Sequence, residues 1–213
     1  VQRETLIMSS LPDPKKAVEA IQTVGQPFPP APGKTLDLDQ VEVVSSRLKL
    51  RPVTRQYTER IFAEFTPDIT RYMMTQPSGR IEDTRAFIDK AAVGRSNQTD
   101  LALVILQRET EEFLGMCGLH SQARSLEPHL GIWIKKKSHG SGYGREAVTA
   151  LCNWAWQNLD YPVLRYDIDR ANEASRRVVE SLGGYIVGEE RTPRLNIEPL
   201  DTVIYHIPRS AES

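Results

Sequence analysis

The chain has almost no cysteine: Cys117 and Cys152 are the two thiols in 213 residues. Two thiols build neither a disulfide framework nor a four-ligand zinc site, and the expectation is reduced core thiols in a cytoplasmic protein. His206 and Cys117 have no second ligand at zinc spacing, so no metal is expected. Long apolar runs are also missing. Nothing approaches the roughly 18 residues of a membrane span, and no apolar segment of the signal-peptide kind opens the chain. Neither charge is in excess: 27 Lys and Arg stand against 28 Asp and Glu, for a net charge of −1. A near-neutral chain has no electrostatic reason to hold nucleic acid non-specifically. Aromatic residues make up 7%; with no basic stripe beside them, Trp133, Trp154 and Trp156 are expected in the core rather than as base-stacking platforms. There is no internal repeat. What remains is enough chain for one domain with an extension and a core that needs no covalent staple.

Proline is where the first 40 residues stand apart. Asp13-Pro14 reads as a helix cap and first turn, with Ala17, Val18 and Ile21 at helical spacing and Gly25 as the stop. Gln26-Pro27-Phe28-Pro29-Pro30-Ala31-Pro32-Gly33 must then be extended. Residues 1–40 are thus expected to be an arm: either a tail, or a segment docked through Phe28 on its own domain or on a second copy, which makes a homodimer one expectation. Residues 41–213 are the domain. Apolar periodicity predicts strands at 41–53, 101–106, 113–120, 130–135, 163–168, 185–189 and 202–207. It predicts helices at 54–65, 81–93, 144–158 and 173–182, the last stopped by Gly183-Gly184. Three consecutive strands imply an antiparallel meander, and strand–helix–strand implies a parallel crossover. The fold class is α/β of the α+β type: a mixed, mostly antiparallel seven-stranded sheet with flanking helices.

His139-Gly140-Ser141-Gly142-Tyr143-Gly144 follows a strand and opens a helix. Alternate glycines uncover successive backbone N–H groups, and the helix points its positive end at the same place. This is a cradle for a phosphate or pyrophosphate. It lacks the Gly-Lys-Ser/Thr of a Walker loop, and Arg145 stands where a dinucleotide fingerprint needs a small residue.

Three segments together resemble the GCN5-related N-acetyltransferases, in the branch similar to the ribosomal-protein alanine N-acetyltransferases (RimJ/RimL-like). Gly142 and Gly144 match the small positions of the family's Gln/Arg-x-x-Gly-x-Gly/Ala loop, with His139 in place of Gln or Arg. Gly142-Tyr143-Gly144-Arg145-Glu146-Ala147 is close to the branch's Gly-Tyr-Ala-x-Glu-Ala. Asn172 and Ser175, followed by Gly184-Tyr185, resemble its Asn-x-x-Ser helix ending in Gly-Phe. Leu130-Gly131-Ile132-Trp133-Ile134 resembles its Ile-Gly-Tyr-Trp-Leu strand. The likeness covers roughly residues 45–208.

The resemblance implies an acetyl-CoA-dependent transfer of an acetyl group to a primary amine, either a protein N-terminus or a small molecule, by direct attack on the thioester. It implies a splay between the fourth and fifth strands, where Ile132, Trp133 and Ile134 offer main-chain groups to the pantetheine arm and the N–H of Ile134 or a neighbour polarises the thioester carbonyl. The N–H groups of His139, Gly140, Ser141, Gly142, Tyr143 and Gly144 would hold the pyrophosphate, with Lys135, Lys136 and Lys137 near the 3′-phosphate. Asn172 would bind the pantetheine amide, and Ser175 would serve the leaving thiolate. An amine attacks only when neutral, so a base is needed. His129, two residues before Gly131 where the branch often carries Glu, is the first candidate, with His120 and Glu127 behind it and Tyr205 as a further acid. Each has a plainer reading: a hydrogen-bonded strand histidine, helix caps at Asn172 and Ser175, solvated lysines, a core tyrosine. Two other functions stay open at this point: a non-catalytic acyl-CoA-binding sensor or scaffold, and a domain for another nucleotide. The acceptor is expected to be chosen by loops at 66–82 and 190–201, with Glu109, Glu111 and Glu112 as a possible attraction for cations.

Overall fold

Leu48 and Leu50 alternate with Lys49 and Arg51, the period-2 pattern of a strand with one buried face. In the structure, a computed structural model describing residues 25–122, 125–195 and 197–209, this strand is shorter than expected. The stretch 41–53 is two strands, β1 (Val43–Val44) and β2 (Leu48–Pro52), folded back on each other with Val43 opposite Leu50. Ser45 N–H donates to the Leu48 carbonyl at 2.9 Å and closes the turn. That hairpin makes the sheet eight-stranded rather than seven-stranded.

Next come α1 (Thr58–Glu64), α2 (Pro67–Thr70) and α3 (Ile81–Ser96), then the meander β3 (Asp100–Gln107), β4 (Phe113–His120) and β5 (His129–Ile134). After α4 (Tyr143–Asn158), β6 (Val163–Asp169) and α5 (Glu173–Glu180) the chain ends in β7 (Tyr185–Arg194) and β8 (Ile197–Pro208). Residues 190–201, expected as a loop, mostly belong to this long hairpin, in which Thr192 pairs with Leu200. The strand order is β1-β2-β3-β4-β5-β6-β8-β7, and every neighbouring pair is antiparallel except β5 and β6.

Both faces of the sheet are covered, which is why β3 reads as an unbroken apolar run. Leu48, Leu50, Leu101, Leu103, Ile105 and Leu119 face α4, which lays Ala147, Val148, Leu151, Cys152 and Ala155 on them at helical spacing. Ala102, Val104, Leu106, Phe113 and Met116 face the other way, onto Tyr57, Ile61, Ile88 and Ala91. Trp133 joins this second layer, with its ring centroid 5.4 Å from Phe65 and 5.8 Å from Phe113. Trp156 is buried and Trp154 packs against the first core.

The segment before β1 is part of the first core. Phe28, Leu36, Leu38 and Val41 are all buried in it. Phe28 is 1% exposed and meets Tyr161 edge-on at 6.5 Å. The backbone is tied as well: Phe28 N–H to Gln98 O at 2.7 Å, Ala31 N–H to Asn158 O at 2.8 Å, and Asp160 N–H to Pro29 O at 2.9 Å. The prolines leave few N–H groups here, and those of Phe28 and Ala31 are used. The helix expected at 13–21 lies outside the described residues. Among the described residues, no helix is long and apolar enough to cross a membrane.

Candidate functional site

A break in the sheet defines the site. β4 and β5 pair along their length, from Gly115 opposite Ile134 to His120 opposite His129. β5 and β6 share a single register pair, His129 with Arg165, where Arg165 N–H donates to Pro128 O at 3.0 Å. The two parallel strands touch at their starts and part toward their ends. The sequence reading numbered this gap between strands four and five; the extra hairpin strand makes it β5 and β6.

Ladder alternation says which groups face the gap. Lys135 N–H donates back to Leu114 O on β4 at 2.7 Å. Residues along an antiparallel strand direct their N–H and C=O alternately to one side and the other. Ile134 and Ile132 therefore turn their main-chain groups away from β4 and into the gap, whereas Trp133, grouped with them in the sequence, turns its own back to β4. One is already engaged: the His139 ring Nε2 lies 2.7 Å from the Ile134 carbonyl. The imidazole expected as a substitute for Gln or Arg caps the edge of β5.

The glycine loop closes the wide end of the gap. Gly140 has φ +76° and Gly142 φ +79°, left-handed values that a side chain disfavours. A side-chain carbon on Gly140 would meet nothing within 4 Å. Gly142 caps α4, and the first N–H groups of that helix have no intrahelical acceptor. Outside the helix, among the described residues, no backbone bond is donated by Gly140, Ser141 or Gly142. A run of N–H groups without backbone acceptors at a helix start can take an anion such as a pyrophosphate; the His139 N–H, expected in this run, instead donates to Lys136 O at 3.2 Å.

A clamp holds this loop. Glu146, in the first turn of α4, accepts from Ser45 Oγ at 2.7 Å, Ser46 Oγ at 2.9 Å, and Arg47 N–H and Nε at 2.8 and 2.7 Å. Arg47 also donates to the Ser141 carbonyl at 3.1 Å and lies 4.6 Å over the Tyr143 ring. Burial raises the Glu146 pKa, but the hydrogen bonds from Ser45, Arg47 and Ser46 outweigh it and hold the carboxyl below the usual range. A depressed carboxylate stabilises the fold above its unfolded pKa, roughly 4.3, and loses that contribution as pH falls through its folded value. Glu146→Gln is therefore expected to be less stable than wild type at pH 7. The gap between their urea midpoints is expected to close below about pH 4.

At the narrow end of the gap, His129 Nδ1 lies 3.3 Å from Asp167 Oδ2 and 3.1 Å from Gln122 Nε2. Its Nε2 is buried and, among the described residues, has no hydrogen-bond partner. Asp167 Oδ1 accepts from Arg165 Nε at 2.7 Å. Burial raises the Asp167 pKa, and the hydrogen bonds from His129 and Arg165 more than reverse that, so it stays ionised. On the neighbouring strand His120 Nδ1 lies 2.9 Å from Asp100 Oδ2. Burial lowers the His120 pKa, and the Asp100 bond and charge raise it further than burial lowers it. Glu127 is held by Ser125 at 2.9 Å.

On the far side of the gap Asn172 caps α5, its side-chain oxygen accepting from Ser175 N–H at 3.2 Å. Burial pushes the Tyr166 phenol up to about 12 against a side-chain hydrogen bond from Ser175. Tyr205 is not a free acid: its hydroxyl donates to Glu180 at 2.9 Å and accepts from Arg176 Nε at 3.1 Å. Burial first, and then the charge of Cys152, raise Cys117 well above an ordinary thiol; burial alone takes Cys152 up to about 12. Neither is a thiolate nucleophile at neutral pH.

Lys135 does not turn to the loop. It is buried, pairs with Glu112, and lines a recess of about 410 Å³ with Glu59, Glu64 and Phe113. Lys136 is exposed and 3.7 Å from Asp68. Glu111 is likewise engaged, with Lys49 and Arg51. The sequence reading missed Asp167, Gln122, Tyr166 and the Arg47–Glu146 clamp. Asp167 had a signal: Arg165, Asp167 and Asp169 alternate with Leu164, Tyr166 and Ile168, placing charge on the cleft face of β6. The clamp had none, because its partners stand 99 residues apart.

Residues 47–184 match the family model described as an acetyltransferase (GNAT) domain. An uncharacterised N-acetyltransferase of Bacillus subtilis, YoaA, is 28% identical over 171 residues, covering 79% of this chain and 97% of the relative. Among solved structures, RimL, a ribosomal L7/L12 alpha-N-protein acetyltransferase in complex with coenzyme A, superposes with a TM-score of 0.70 at 16% identity, over 79% of this chain and 98% of its own. Spermidine N-acetyltransferase from Vibrio cholerae, in complex with coenzyme A and spermine, gives 0.67 at 16% identity, over 77% and 96%. The solved structures share the fold, and the family model spans both the splayed strand and the glycine loop: this chain belongs to the GNAT family of N-acetyltransferases.

Proposed function

We propose that the chain transfers the acetyl group of acetyl-CoA to a primary amine by direct attack, with the cosubstrate lying along β5 in the gap. The observation that carries this reading is the edge of β5, which turns the main-chain groups of Ile132 and Ile134 outward and ends in the glycine loop. Pantetheine amides would pair with that edge as an added strand does. The N–H groups of residues 140–144 would hold the pyrophosphate, with Arg47 and Glu146 keeping the loop in shape. β5 rises roughly 3.3 Å per residue, so His129 stands roughly 16 Å from Ile134. An extended pantetheine arm spans that interval and brings the thioester to the narrow end, beside His129 and closer to the Ile132 N–H than to that of Ile134.

The thioester supplies the acetyl group; the protein supplies the rest. His129 Nε2 takes the proton that the amine must lose. Asn172, whose amide N–H₂ has no partner among the described residues, would meet a pantetheine carbonyl, and Ser175 would turn its hydroxyl from the Tyr166 phenol to the departing sulfur. With both cysteines held protonated, an acyl-cysteine route has no nucleophile. The acceptor is a primary amine, and the named structural neighbours span a protein N-terminus and a polyamine. Residues 41–213 would form the transferase domain, with residues 1–40 its extension, docked at least over residues 25–40.

Thiol release from acetyl-CoA over a panel of N-terminal peptides, polyamines and amino acids tests the reading. Turnover with at least one acceptor is expected, falling about 100-fold in His129→Ala. Binding of acetyl-CoA with no release on any amine would support the sensor or scaffold reading instead.

A further inference from the structure

A histidine base is useful only if the nitrogen aimed at the substrate is the one without hydrogen. We propose that Asp167 is a positioning residue that holds His129 as the Nδ1–H tautomer, leaving the buried Nε2 at the narrow end of the gap as the bare nitrogen. This rests on the reading of His129 as the base.

Two groups compete for Nδ1: the Asp167 carboxylate at 3.3 Å and the Gln122 amide at 3.1 Å. If Nδ1 accepted from Gln122, the ring hydrogen would sit on Nε2. That would be a buried donor without an acceptor among the described residues, and an Nδ1 lone pair would face a carboxylate. Both are costly. If Nδ1–H donates to Asp167, the bond is charge-assisted. Gln122 accommodates this arrangement by a half-turn of its amide, which presents Oε1 in place of Nε2. Asp167 itself cannot swing away, because Arg165 holds its other oxygen at 2.7 Å and its neighbours on β6 are packed into the core. The same carboxylate stabilises the imidazolium that forms when Nε2 takes the proton.

The step balances. The amine lone pair forms the C–N bond, the C–S pair leaves with sulfur, and the amine proton moves to Nε2. That proton is equivalent to the one the released thiolate takes up, so His129 returns to its starting form. The charged or titratable groups around the ring are Asp167 and Arg165 from β6 and His120, its cross-strand partner on β4. Glu127 and His206 act on one another nearby, and Glu127 also feels Arg165.

The wild-type chain, labelled with ¹⁵N on histidine, gives the first test and needs no acceptor. The His129 nitrogens are expected to be pyrrole-like at Nδ1 and pyridine-like at Nε2; hydrogen on Nε2 overturns the proposal. The second test is Asp167→Asn, whose amide donates to Nδ1 and drives the hydrogen onto Nε2. Its kcat is expected to fall about 100-fold, its KM for acetyl-CoA to stay near wild type, and the histidine limb of the pH profile to disappear. Adding His129→Ala should then cost nothing more. If Asp167→Asn keeps the wild-type rate and profile while His129→Ala is impaired, Asp167 does not position the base and His129 stands alone. If His129→Ala is itself unimpaired, the base reading falls and this proposal with it.

Discussion

Gly142→Val is expected to weaken acetyl-CoA binding by about 5- to 30-fold while leaving the unliganded fold largely intact. The left-handed φ of +79° at Gly142 aligns the loop N–H groups with the start of α4. A branched side chain disfavours that conformation by roughly 1–2 kcal/mol, which converts to that range of affinity. An added Cβ would stand 3.5 Å from the Arg47 guanidinium, an ordinary contact, so the loss comes from the backbone conformation. Because the loop is exposed, the chain can relax when nothing is bound and is strained when it must hold the pyrophosphate. Titration calorimetry measures the loss, and the thermal shift on adding coenzyme A should shrink in parallel. Unchanged affinity would mean that the pyrophosphate is held elsewhere.

Phe28→Ala is expected to destabilise the fold by about 3–5 kcal/mol. The ring is 1% exposed and closes the first core between β-sheet, α4 and Tyr161. In a chain of this size that loss lowers Tm by roughly 6–20 °C. A mobile tail would predict no measurable change, so urea or thermal unfolding separates the two readings of the arm cleanly. The segment is held where it is by the three backbone bonds at Phe28, Ala31 and Asp160, which cross from a proline-rich stretch to the ends of α3 and α4. Alanine at 28 keeps those bonds and removes the packing, so the measurement isolates the ring.

Most of the sheet was legible because its residues announce themselves locally. β3 is unbroken apolar, β6 alternates, and α4 repeats at helical spacing, so their positions follow from near-neighbour patterns. The two misreadings have a common cause. At 41–53 a hairpin turn at 45–47 is built from Ser45, Ser46 and Arg47, whose serines are a weaker turn signal than Gly or Pro; the Glu146 carboxylate of a distant helix holds it. At 190–201 Pro193 and Pro199 suggest a loop, yet both sit in β7 and β8 at the outer hairpin, where an edge position tolerates a missing donor. Lys135 went astray for the same reason. Its register on the ladder, not its place in a Lys-Lys-Lys run, decides which side it faces.

The amino-acid sequence by itself determined the fold class, the glycine cradle and the family, because backbone conformation at Gly140 and Gly142, strand alternation and helix caps are set by residues a few positions apart. Only the tertiary structure decided which groups work together. His129 with Asp167, Arg47 with Glu146, and Phe28 with Tyr161 are contacts between residues 38 or more apart. They form because strands diverge from one register pair and a proline-rich segment finds a hydrophobic floor. Chain topology creates such contacts, and no local pattern encodes them.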